Sequence, residues 1–139
     1  MRRKILLSII VGIALAAALT ACGSQSPEKV EVTLTEFGFE SPVTTFKVGQ
    51  PYQFVITNQG AVSHEFVIMR PLSEGEMVMP GHGMEEAVVE VKEEQLPPGA
   101  TVTVEYTFTQ PMTPGDLEFA CHVTGHYAAG MKMPITVAP

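Results

Sequence analysis

Cationic side chains are scarce in this 139-residue sequence, where eight Lys and Arg stand against fifteen Asp and Glu. Three of the eight, Arg2, Arg3 and Lys4, fall in the first four residues. From residue 22 onward only Lys29, Lys47, Arg70, Lys92 and Lys132 remain, and five cations against fifteen anions leave a net charge of −10. Such a balance disfavours nucleic acid and anionic lipid surfaces as partners and suits a cation or a basic protein. Cysteine is also rare, with only Cys22 and Cys121. No segment carries the apolar spacing of an amphipathic helix and no internal repeat is visible, which argues against bundles and solenoids. Long apolar runs are missing except for the fifteen uncharged residues from Ile5 to Leu19. As a helix that run is ~22 Å long, short of the ~30 Å hydrocarbon core.

What is present at the N-terminus is a basic start, an apolar stretch and then Leu19-Thr20-Ala21-Cys22. The first two read as the n- and h-regions of a signal peptide. The last resembles the bacterial lipobox, which implies cleavage before Cys22 and a diacylglycerol on its thiol. An uncleaved anchor or an ordinary secretory signal is the plainer alternative. Residues 1–21 are thus expected to be a signal, and residues 22–29 a lipid-bearing Cys22 followed by a flexible tether. The body would lie outside the cytoplasm, anchored to the cell envelope on the periplasmic side or outer face of a membrane. The remaining 118 residues suffice for one domain with one core. If Cys22 carries lipid, Cys121 is the one thiol left in an exported protein and has no disulfide partner. Either it is buried and inert or something occupies it.

From Val30 onward the chain reads as β-structure. Val30–Thr35 alternates apolar and polar residues, Thr44–Val48 and Tyr52–Thr57 flank a turn at Gly49-Gln50-Pro51, and Asn58-Gln59-Gly60 marks a second turn. Further strands are expected at His64–Met69, Ala87–Val91, Thr101–Phe108, Leu117–Cys121 and Met133–Val137. Seven or eight short strands punctuated by Gly, Pro and Asn predict an all-β antiparallel sandwich over residues 30–139. Residues 71–86, with Met77, Met79, His82 and Met84 among glycines and prolines, break that rhythm and read as an inserted loop.

The chemistry concentrates in Phe119-Ala120-Cys121-His122-Val123-Thr124-Gly125-His126-Tyr127-Ala128-Ala129-Gly130-Met131. Cys121, His126 and Met131 follow a C-x4-H-x4-M spacing between two expected strands. A thiolate, an imidazole and a thioether, joined by a second imidazole, form the trigonal His₂Cys set with a weak axial Met that describes a blue copper site. Gly125 and Gly130 let the loop curl tightly enough for three side chains to converge. His64, which opens a strand after the Asn58-Gln59-Gly60 turn, is the best candidate for the second imidazole. Cys121 binds only as thiolate, so metal binding should release a proton and weaken in acid.

This arrangement, one His well upstream and then Cys, His and Met in a loop joining the last two strands, resembles the cupredoxins. The Cys-x-x-x-Gly-His-Tyr-x-x-Gly-Met run is similar to that of small exported members linked to copper tolerance. The resemblance implies a Greek-key β-sandwich with one type 1 copper per chain, held by His64, Cys121, His126 and Met131, with the His126 ring edge as the electron port. The residue after the upstream His is usually Asn in plastocyanin-like and azurin-like members and helps tie the ligand loops together. Here it is Glu65, which leaves open how the loops are joined.

Other residues carry two readings each. His122 could wire the site to a second, catalytic copper, as in copper oxidases and nitrite reductases, or could be a packing or solvent-facing residue. Four histidines are too few to complete such a second site, so no enzymatic turnover is expected. Met77, Met79, His82 and Met84 could form a secondary Cu(I) site or simply cover the core. Tyr127 is expected to pack beside the ligand, and Glu85, Glu86, Glu90, Glu93 and Glu94 to form a solvated acidic face. The leading functional expectation is a membrane-tethered one-electron carrier between exported redox partners. The alternative is an envelope copper-tolerance protein that sequesters copper or hands it to trafficking proteins.

Overall fold

A computed structural model describes residues 25–73 and 87–139. The signal, Cys22, and the loop residues Met77, Met79, His82 and Met84 lie outside the described residues.

Among the described residues, nine strands form two sheets packed face to face. They are β1 (Glu28–Leu34), β2 (Phe39–Glu40), β3 (Thr45–Lys47), β4 (Pro51–Asn58), β5 (Phe66–Met69), β6 (Val89–Val91), β7 (Thr101–Thr107), β8 (Met112–Ala120) and β9 (Lys132–Ala138), with one 3₁₀ turn at Glu93–Gln95. The first sheet has the order β2-β1-β4-β7 and the second β3-β9-β8-β5-β6. β1 begins two residues earlier than the expected Val30, and the two-residue β2 was not foreseen. The all-β sandwich is as expected, but its pairing is not uniformly antiparallel: β1 runs parallel to β4 and β3 parallel to β9. Parallel neighbours need a crossover. The chain supplies it by leaving the first sheet after β2, adding β3 to the second, and returning as β4.

Alternation builds the core. β4 turns Tyr52, Phe54, Ile56 and Asn58 inward, and β1 contributes Val30, Val32 and Leu34. Phe39, Phe46, Phe54, Phe66, Phe108 and Phe119 fill the space between the sheets, for example with Phe66 and Phe119 ring centroids 5.1 Å apart. Tilted and edge-to-face ring pairs of this kind add ~0.5–1.5 kcal/mol each beyond simple burial.

β5 departs from alternation because all four of its residues are buried. Phe66 and Ile68 face the main core, while Val67 and Met69 join Ala120 in a second cluster covered by Leu72, Ala87 and Tyr127. The antiparallel register of β5 and β8 pairs Val67 with Ala120. Continued past the strand ends, it sets Phe66 against Cys121 and Glu65 against His122. Successive side chains point to opposite faces, so Cys121 follows Phe119 into the core while His122 follows Ala120 toward the outer cluster.

Candidate metal centre

His64 stands in the loop between β4 and β5, two residues before the strand expected to contain it. Asn58, fully buried at the end of β4, shapes this loop. Its Nδ2 donates to the carbonyls of Val62 and Leu96, both at 2.8 Å, and its Oδ1 accepts from the Gly60 N–H at 2.9 Å. The His64 N–H in turn donates to the Leu96 carbonyl at 3.1 Å.

The second ligand-bearing segment leaves β8 at Cys121 and returns as β9 after Met131. Inside it the His126 N–H donates to the Val123 carbonyl at 2.9 Å and the Met131 N–H to the His126 carbonyl at 3.0 Å. The Cys121 N–H closes the loop on the Met131 carbonyl at 3.2 Å. Gly125 and Gly130 adopt φ of 87° and 101°, where side-chain-bearing residues are strained. The tight curl foreseen from these glycines is therefore real. Met131 is fully buried in the same core cluster as Cys121.

The two segments bring three donors together. His64 Nδ1 lies 3.2 Å from His126 Nδ1, and Cys121 Sγ lies 3.9 Å from the former and 3.4 Å from the latter. One donor atom from each of these residues falls within 4.8 Å of the others, the only such cluster of His, Cys and carboxylates among the described residues. Both imidazoles present Nδ1, which leaves His64 Nε2 outermost, buried and without a hydrogen-bond partner among the described residues. Burial lowers the His64 pKa, the nearby His126 ring lowers it further, and Glu36 partly opposes both. Burial pushes the Cys121 thiol up, against hydrogen bonds from the Glu65 and Val123 backbones. Two imidazoles, a thiol able to become a thiolate and a buried thioether residue fit a single type 1 copper ion.

Glu65 answers the question raised by its sequence. Its N–H donates to Cys121 Sγ at 3.4 Å, and its Oε2 accepts from the His122 N–H at 3.2 Å. The carboxylate thus joins the two ligand segments where an Asn usually stands. Burial raises its pKa, and Glu90, Glu93 and Glu94 add to that effect, while the His122 hydrogen bond opposes it.

The His122 side chain is only 4% exposed, with Nδ1 4.0 Å from Glu65 Oε2 and its ring 5.4 Å from that of Tyr127. It is a packing residue, not a solvent-facing one. Tyr127 is a packing residue, but on the outer cluster of Val67, Met69 and Ala120, and its hydroxyl donates to the buried Glu118 carboxylate and accepts from the Leu72 N–H at 3.1 Å. Lys132 Nζ sits 4.4 Å from the centre of its ring.

Two neighbours of the site escaped sequence reasoning. Phe37, 59% exposed, sets its ring edge-on to His126 at 5.8 Å. Glu36 reaches the loop that carries His64 and accepts the Ala61 N–H through both oxygens, at 3.1 and 2.9 Å. Both lie in the turn between β1 and β2, and no local pattern connects that turn with the ligands.

The sequence pattern of the cupredoxin-like domain family matches residues 6–133. The copper-resistant cuproprotein CopI of Pseudomonas aeruginosa is 28% identical over 86% of this chain and 81% of its own length. CopI of Rubrivivax gelatinosus is 29% identical over 71% of this chain and 59% of its own length. Among solved structures, reduced auracyanin from Roseiflexus castenholzii superposes with a TM-score of 0.63 at 24% identity, covering 84% of this chain and all of that one. Rusticyanin from Thiobacillus ferrooxidans gives 0.55 at 21%, covering 86% and 85%. These two likenesses speak to the fold. With the match spanning both sheets and the whole donor set, the chain belongs to the cupredoxin-like domain family.

Proposed function

We propose that this is an exported copper protein of the cell envelope that holds one type 1 copper ion at His64, Cys121, His126 and Met131 and serves copper tolerance. The convergence of two Nδ1 atoms and Sγ carries the copper reading. Copper bound there would supply one-electron Cu(II)/Cu(I) chemistry. The protein's part is to hold a mixed hard and soft donor set in a buried, cross-tied frame, so that either oxidation state is tolerated with little rearrangement. What favours tolerance is the relatedness to copper-resistant cuproproteins over most of the chain. In this reading the protein is not an enzyme, and Cys22 carries the lipid that keeps it at the membrane.

The second reading is a one-electron carrier between exported redox partners. It is favoured by Phe37, exposed and edge-on to the half-buried His126, which offers an apolar contact at the ring expected to pass the electron. In either case the strongly acidic chain suits redox or copper-trafficking partners with basic surfaces.

A Cu(II) titration followed by visible absorption and EPR tests the site. One equivalent with an intense thiolate-to-copper band and narrow hyperfine splitting is expected; binding without that signature would refute type 1 copper. Changing Met77, Met79 and Met84 together separates the two uses. Tolerance with the loop as an acquisition arm predicts lower Cu(I) stoichiometry and lost copper tolerance, whereas a carrier would be indifferent. Release of the protein from membranes by Cys22→Ser would support the tether, and retention would count against it.

A further inference from the structure

The turn between β1 and β2 touches His126 and the loop that carries His64. Phe37 meets His126, while Glu36 meets the loop that delivers His64. A methyl group placed on Gly60 would sit 2.5 Å from Glu36 Oε2 and 2.8 Å from His64 Nε2. The carboxylate oxygen and the outer imidazole nitrogen therefore flank the same point, and the missing side chain at Gly60 is what lets them face each other. The backbone there does not require glycine, since Gly60 is absent from the positive-φ residues.

An imidazole that ligates through Nδ1 while neutral carries its proton on Nε2. That N–H is buried, and leaving it without an acceptor is destabilising. Histidine ligands are commonly oriented by a carboxylate on their second nitrogen, which fixes the tautomer. Glu36 can meet this need: its side chain is exposed and its Oε2 lies across the Gly60 gap from Nε2. A carboxylate has about four lone-pair sites, so it can keep the Ala61 N–H while taking another.

We propose that Glu36 is the positioning residue of His64, accepting the Nε2–H across the gap left by Gly60 so that Nδ1 stays turned toward Cys121 and His126. The turn then acts on the two imidazoles in different ways, by charge on His64 and by ring contact on His126. The consequence for copper rests on the proposed metal site, but the tautomer does not, because it follows from the Glu36 carboxylate and His64 Nε2 facing each other.

The test uses the full chain with Glu36→Ala, Glu36→Gln and Gly60→Ala. Long-range ¹H–¹⁵N correlation spectra of the metal-free proteins read the His64 tautomer, and Cu(II) titration and voltammetry read affinity and potential. The wild type should hold His64 as Nε2–H. Glu36→Ala should mix the tautomers, weaken Cu(II) about tenfold and raise the potential. Glu36→Gln, which keeps an acceptor for Ala61 and His64, should retain the tautomer and raise the potential through loss of charge alone. Gly60→Ala should reproduce Glu36→Ala with Glu36 still in place. An unchanged tautomer in both alanine variants would overturn the proposal even if both bind copper normally. A wild type that takes up no copper while Glu36→Ala still scrambles the tautomer would refute the copper reading and leave the role of Glu36 standing.

Discussion

The backbone N–H of Glu65 donates to Cys121 Sγ across 3.4 Å, so the residue that follows one candidate ligand grips the side chain of another. The same residue uses its carboxylate on the His122 N–H, immediately beyond Cys121. The two ligand segments are thereby cross-tied twice by one residue, once through backbone and once through side chain.

Removing only the side-chain tie should loosen the frame without altering the sulfur's environment. Glu65→Ala leaves the His122 N–H without its acceptor and is expected to lower stability by about 1–2 kcal/mol. The thiolate-to-copper band should stay in place because the backbone donor remains. Glu65→Gln, which keeps an acceptor, should cost less. Urea unfolding of the metal-free proteins with spectra of the copper-loaded ones checks both; a shifted band in Glu65→Ala would show that the carboxylate acts on the sulfur after all.

Cys121→Ser should abolish the intense visible colour while the sandwich persists, since a hydroxyl is nearly the size of the thiol and Cys121 has no disulfide partner among the described residues. Far-ultraviolet circular dichroism and copper absorption on one sample decide this. Colour retained in the variant would refute the assignment of the thiolate.

Asn58 holds the His64 loop by three hydrogen bonds from a fully buried position. Asn58→Ala strands the Val62 carbonyl and the Gly60 N–H, leaves the Leu96 carbonyl with the His64 N–H alone, and is expected to cost about 2–3 kcal/mol. It should also slow and weaken copper uptake by freeing the loop. A denaturant midpoint equal to that of the wild type would contradict this role.

Copper uptake should release a proton. The buried Cys121 thiol has its pKa raised, so in the metal-free chain it stays protonated at neutral pH and the metal must displace that proton. Affinity should therefore fall about tenfold for each unit of pH lost near neutrality. His64, its pKa lowered by burial, competes for a proton only below the ordinary imidazole range. Titrations in buffers of different ionisation enthalpy count the protons, and affinity independent of pH would contradict the mechanism.

Stability of the metal-free chain should also depend on pH. His64 and His122 have folded pKa values below the ordinary 6.5. Below that value the unfolded chain binds protons that the folded chain excludes, so their contribution is present above it and is lost as pH falls. Glu65 acts in the opposite sense: with its pKa raised above 4.5, the folded chain gains stability as pH falls through that window. The two histidines predict a loss of stability on mild acidification that Glu65 opposes, and His122→Gln should reduce it. Urea midpoints across that range provide the check.

The ligand set was readable because its information is local. C-x4-H-x4-M and the two glycines at positive φ lie within one loop, and the side chains of a tight loop have few places to go. The inward faces of β1 and β4 were readable for a similar reason, since alternation records burial directly. Less legible was β5, where the Tyr127 and Leu72 cover buries the second face and erases the alternation.

The sequence by itself determined which donors exist, their softness, and the curl that brings Cys121, His126 and Met131 to one end of the domain. Only the tertiary structure decided that His64, 57 residues from Cys121, presents Nδ1 to it. It also decided that His122 turns to a buried outer cluster, and that Phe37 meets His126 and Glu36 the loop carrying His64 from a turn with no motif of its own. The physical reason is that periodicity and turn chemistry act over a few residues. Which strands pair, and which loops therefore share an end, is settled by how the two sheets bury their faces together.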